Sequence, residues 1–170
     1  MFQIVVMGVS GCGKSTVAGG IARELGLTML DGDDLHLPES VAKMRAGVAL
    51  EDADRWLWLD RISHCLTSRD TGHVVACSAL KRAYRDRIRR MAATVKFVFL
   101  DGSAELIEKR LALRTGHYMH PELLASQFST LEKPTADEHD VITLKIQQPV
   151  EVLVAEAVAA LQGTHAKVKI

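Results

Sequence analysis

The chain is short of the features that mark several protein classes. It has only three cysteines in 170 residues, Cys12, Cys65 and Cys77. Their separation shows no metal-site spacing, and they read as reduced thiols of a cytoplasmic protein. Net charge is missing too, because 21 Lys+Arg balance 21 Asp+Glu. No overall field therefore draws the chain to nucleic acid or to a membrane. No apolar run approaches a membrane span, and no basic region precedes the first strand. Internal repeats, low-complexity tracts and interdomain linkers are absent as well. What remains is a chain of 48% hydrophobic residues with mean hydropathy +0.08. It is expected to be a single domain over 1–170, large enough for a real core.

The most informative stretch lies at the start. Phe2–Met7 is an apolar run of strand character, followed at once by Gly8-Val9-Ser10-Gly11-Cys12-Gly13-Lys14-Ser15. This is the phosphate-loop pattern G-x-x-x-x-G-K-[ST]. Glycines let the backbone curl so that several N–H groups point at one oxyanion. Lys14 can reach the outer phosphates and Ser15 can ligate Mg²⁺. From Thr16 to Leu25 a helix is expected, with Val17, Ile21 and Leu25 on one face. Its N-terminal dipole adds positive potential at the same place. The nucleotide-binding candidates are thus Gly8, Ser10, Gly11, Cys12, Gly13, Lys14, Ser15 and Thr16.

A second strand, Thr28–Leu30, ends at the acidic stretch Asp31-Gly32-Asp33-Asp34-Leu35-His36. Carboxyl ends of strands are where open α/β sheets bind ligands. Beside a phosphate site, one acid can hold a metal through water and another can take a proton from an attacking hydroxyl. The third strand, Val74–Cys77, runs into Ser78-Ala79-Leu80 and supplies no acid, which leaves Asp31 as the metal-associated carboxylate. Asp33 is the candidate base.

The rest alternates between helices and strands. A short helix over Pro38–Ala46 precedes one capped by Asp52 and running to about Ser68. Its expected apolar stripe is Trp56, Leu59, Ile62 and Leu66. Arg55 stands near that helix's start, where a cation is unfavourable, which hints at a partner anion. A basic helix over Lys81–Arg90 reads mostly as a solvated face. Lys81 and Arg85, four apart, are its candidates for an anionic ligand. Without interleaved aromatics beyond Tyr84, it makes a poor nucleic-acid surface. A fourth strand, Lys96–Leu100, leads to a helix over Ala104–Arg114 and a break at Thr115–Pro121. Arg110 and Arg114 share a face there, as in a mobile lid that closes over nucleotide. His117 and His120 lack a third ligand for a metal. A helix over Pro121–Leu131, a fifth strand at Val141–Leu144 and a last helix from Val150, stopped by Gly163, complete the chain. The expected fold is α/β: three layers, a five-stranded parallel sheet with helices on both faces.

At this point the sequence resembles the gluconate kinases, small P-loop kinases related to the shikimate kinases. The resemblance rests on the loop, on Asp31–His36, Lys43-Met44, Gly47, Leu50, Asp52, Asp54-Arg55 and Trp58-Leu59. It continues through Cys77–Lys81, Tyr84–Asp86, Gly116-His117, Gln127-Phe128, Leu131-Glu132 and Asp137-Glu138. Leu37, Ser40 and Leu57 depart from the family pattern, all in the acceptor-side helices. The resemblance implies ATP-dependent phosphorylation of D-gluconate with Mg²⁺, in a cytoplasmic protein that is often a homodimer. It implies acceptor helices over about 38–68 and a lid over about 114–121. It also implies roles: Lys14, Asp33 and Arg114 in catalysis, and Ser15 and Asp31 at the metal. Arg110 would bind nucleotide, and Asp33, His36, Arg55, Lys81 and Arg85 the acceptor. Rival readings are a kinase for another small hydroxy acid such as shikimate, a non-enzymatic nucleotide-binding protein, and a nucleic-acid-dependent ATPase using the basic helix.

Overall fold

The structure, a computed structural model, describes residues 1–68, 72–113 and 121–166. Five strands form one sheet: β1 (Gln3–Met7), β2 (Thr28–Asp31), β3 (His73–Ala76), β4 (Lys96–Asp101) and β5 (Val141–Lys145). Their order is β2-β3-β1-β4-β5, and every neighbouring pair is parallel. The helices are α1 (Lys14–Leu25), α2 (Pro38–Arg45), α3 (Asp52–Thr67), α4 (Arg82–Met91), α5 (Ala104–Ala112), α6 (Pro121–Thr130) and α7 (Val150–Ala166). A 3₁₀ turn at Gly32–Leu35 follows β2. The expected α/β sandwich is therefore what forms. No helix among the described residues is long and apolar enough to cross a membrane.

Alternation along the central strands divides the core in two. Ile4 and Val6 of β1 and Val98 and Leu100 of β4 join α1, α5, α6 and α7 on one face. Val5, Met7, Phe97 and Phe99 join α3 and α4 on the other. With both faces covered, these strands read as unbroken apolar runs. Gly20 lets α1 approach α7, since a Cβ there would stand 2.5 Å from Val154.

Four local expectations are corrected. The N-cap of α3 is Glu51, which shares a capping box with Asp54; Asp52 is the first helical residue and its carboxylate is spent elsewhere. Trp58 rather than Trp56 is the buried tryptophan of α3, at 2% exposure. Gly163 does not stop α7, which runs to Ala166, because one glycine costs a helix only about 1 kcal/mol.

The fourth correction concerns α4. Arg82 and Arg90 are exposed as expected, but most of its cations are paired with acids. Arg87 makes a two-point contact with Asp60, and Arg89 reaches Asp86, Glu138 and Asp140. Arg82 bonds Thr135 and Asp137. The Arg87 contact ties α4 to α3, and those of Arg82 and Arg89 with Thr135, Asp137, Glu138 and Asp140 fasten the irregular segment 131–140 to it.

Candidate active site

Parallel strands bring the loop after β1, the acidic turn after β2 and the segment after β3 to one edge of the sheet. The loop takes the glycine-only conformations that its motif requires, with φ of 145° at Gly8, 80° at Gly11 and 99° at Gly13. Lys14 donates to Val9 O at 3.0 Å, folding its ammonium back over the loop. No acidic residue occupies the first turn of α1, so the helix dipole there is left for an incoming anion.

Asp31 links the loop to the turn. Ser15 Oγ donates to Asp31 Oδ2 at 3.2 Å, and Asp33 N–H donates to Asp31 Oδ1 at 3.0 Å. The turn packs down on β3 because residue 32 is glycine; a Cβ would stand 2.6 Å from Ala76 O. Asp33 is exposed, and its side chain is committed to no hydrogen bond among the described residues.

The turn is also tied to α3. Trp58 Nε1 donates to Gly32 O at 2.6 Å, and the His36 ring stacks on Trp58 with centroids 4.4 Å apart. Burial pushes the His36 pKa down, outweighing the nearby Asp33 carboxylate, so the imidazole is neutral at pH 7. Its Nδ1 is buried with no partner among the described residues.

One turn earlier on α3, Arg55 Nη1 donates to Leu50 O at 2.7 Å and to the Tyr84 hydroxyl at 3.3 Å. Its Nε and Nη2 edge carries no hydrogen bond among the described residues. Lys81 donates to both oxygens of Asp52 at 2.9 Å, and the Tyr84 hydroxyl donates to Asp52 Oδ1 at 2.5 Å. The Tyr84 and Lys81 bonds hold the Asp52 carboxyl below its ordinary pKa. Arg55 and Lys81 thus stand in one cluster around the Asp52 carboxylate.

Arg85 is not part of that cluster. It is 1% exposed and makes a two-point bond to Glu138, with both distances 2.7 Å. Its remaining nitrogen donates to the carbonyls of Ala79, Leu80 and Glu132. With its donors used internally it has none to offer a ligand, so the expected role at the acceptor is withdrawn. Instead it secures the segment after β3, where Ala79 holds a left-handed φ of 41° and Ser78 O accepts from Gly8 N–H.

On the other side of the loop, a cleft of about 300 Å³ is lined by Gly11, Cys12, Gly13, Thr16, Arg110, Val150 and Leu153, among others. Arg110 is anchored there by donating to Ile146 O. Val150 is 38% exposed at the mouth of this cleft, while Leu153 beside it is 2% exposed and belongs to the core. Burial raises the Cys12 pKa despite Lys14 nearby, and it pushes Cys77 up to about 12. Both thiols are therefore protonated at pH 7. Arg114, His117 and His120 lie outside the described residues.

A phosphate loop between β1 and α1, an acidic turn bonded to its serine and a parallel sheet in this order define a P-loop kinase. The AAA domain family model matches residues 4–134. The thermoresistant gluconokinase of Escherichia coli K12 is 40% identical over 161 residues, covering 93% of this chain and 92% of that one. The crystal structure of a gluconokinase from Sinorhizobium meliloti 1021 superposes with a TM-score of 0.90 at 45% identity, covering 98% and 95%. The chain belongs to the gluconokinase family. Its fold is shared more distantly by the shikimate kinase of Aquifex aeolicus, at a TM-score of 0.59 and 21% identity over 96% and 98%.

Proposed function

We propose that the protein transfers the γ-phosphoryl group of ATP to the 6-hydroxyl of D-gluconate, giving 6-phospho-D-gluconate and ADP. The observation that carries this reading is the acidic turn. It is bonded to the loop serine through Asp31 on one side and stapled by Trp58 to the helix bearing Arg55 on the other. Donor grip and acceptor recognition thereby meet at Asp33.

Loop amides and Lys14 hold the phosphates, and Arg110 covers the adenine in the cleft with Val150 and Leu153. The family resemblance gives Arg114, outside the described residues, to the transferring group. Ser15 and Asp31 fit Mg²⁺, since both are oxygen donors within hydrogen-bond distance of each other and the ion takes few protein carboxylates. When bound, it neutralises charge on the phosphate oxygens. Asp33 accepts the proton of the attacking hydroxyl, and neutral His36 bonds a polyol hydroxyl. Arg55 reads the carboxylate through its unused Nε–Nη2 edge, with Lys81 beside it. The departures Leu37, Ser40 and Leu57 fall around this acceptor region; Leu57 is 60% exposed. The family resemblance adds a homodimer working in the cytoplasm, which sedimentation of the purified chain would check.

Purified protein with Mg-ATP and gluconate is expected to produce 6-phosphogluconate, detected directly. Faster ADP release with shikimate or another hydroxy acid would transfer the assignment to that acceptor. Arg55→Ala is expected to raise the gluconate KM about thirtyfold, the loss of one charged hydrogen-bonded contact, with the ATP KM unchanged. An unaltered gluconate KM would remove Arg55 from the carboxylate site.

A further inference from the structure

The amides of the phosphate loop fall into two sets. Gly8 N–H donates to Ser78 O at 3.3 Å, Cys12 N–H to Val9 O at 3.4 Å and Ser10 N–H to the Gln127 carboxamide oxygen at 2.6 Å. The amides of Gly11, Gly13, Ser15 and Thr16 donate to no acceptor among the described residues. Convergent amides put the positive ends of their dipoles together, an arrangement that favours an anion and resists assembly without one. Something outside the loop must therefore hold it in shape.

Two of the three internal bonds come from the loop itself and the neighbouring strand end. The Ser10 bond is different, since its acceptor lies 117 positions away on α6. That helix gives Gln127 a fixed base: Leu124, one turn back, is 2% exposed, and Phe128 packs on the same core. The next loop residue is backed as well, because a Cβ on Gly11 would press on Leu111 and Ile107 of α5 at 2.9–3.1 Å.

We propose that Gln127 is a positioning residue for the nucleotide. By drawing the Ser10 amide outward it fixes the peptide plane from which the following amides turn inward. It touches no reacting atom, and its effect passes through the loop. The inference rests on residues 8–15 being the phosphate site and is independent of which acceptor is phosphorylated.

The test compares wild type with Gln127→Met, which keeps the length of the side chain and removes the acceptor. Calorimetric titration is expected to show ADP affinity reduced about tenfold, the size of a lost hydrogen bond. Adenosine affinity, the gluconate KM and the thermal midpoint stay unchanged. Gln127→Asn keeps the carboxamide but falls one methylene short, and it is expected to behave like Gln127→Met. It also carries the test if the methionine variant does not fold. Equal losses for ADP and adenosine, or undiminished ADP binding, would overturn the proposal. Wild-type protein that failed to bind ADP would overturn the phosphate-site reading beneath it.

Discussion

Asp33→Asn is expected to lower kcat about a thousandfold, within the usual range for removing a general base, while both substrates still bind. The substitution isolates the chemistry because the turn depends on the backbone of residue 33, not on its side chain. It is the Asp33 N–H that bonds Asp31, and the carboxylate is exposed. The thermal midpoint should therefore match wild type. An amide at this position still accepts a hydrogen bond from the polyol but cannot take its proton, so the loss falls on kcat and leaves KM nearly unchanged. Turnover within tenfold of wild type, measured with both substrates saturating, would show that the proton leaves by another route.

Glu138→Gln is expected to be strongly destabilising. Arg85 and Glu138 are each 1% exposed in their side chains, and Arg89 adds a second guanidinium at 2.7 Å. Removing the carboxylate leaves a buried cation facing a neutral amide, a loss of about 3–5 kcal/mol. Urea unfolding at pH 7 measures it directly; a loss under 1 kcal/mol would mean that water reaches the pair. The same group governs acid stability. Burial alone would raise the Glu138 carboxyl, but the bonds from Arg85 and Arg89 outweigh it and bring it down to about 2, from an ordinary 4.5. Its contribution is complete above the unfolded value and is lost as pH falls from 4.5 through 2. The variant should show a flatter stability profile over that window.

The phosphate loop and the acidic turn were legible in the sequence because each is a contiguous signal with its own chemistry. Strand and helix order was legible for the same reason, since apolar runs and stripes are local. What escaped was set by pairing over distance. Arg85 reads as a candidate for an anionic ligand until Glu138, 53 positions later, is folded against it. Asp52 looks like a helix cap, yet Tyr84 and Lys81 claim its carboxylate and Glu51 takes the cap. By pattern Trp56 belongs to the stripe of α3, yet it is Trp58 that goes inside, where its indole meets the distant Gly32 carbonyl. Gln127 could not be linked to Ser10 from any spacing.

The strand order puts β3 between the strand that ends in the phosphate loop and the strand that ends in the acidic turn. The phosphate loop and the acidic turn, residues 8–15 and 31–36, thus come together at one sheet edge although they are separate lengths of the sequence. The three departures at Leu37, Ser40 and Leu57 all lie after that turn and leave the phosphate loop itself unaltered.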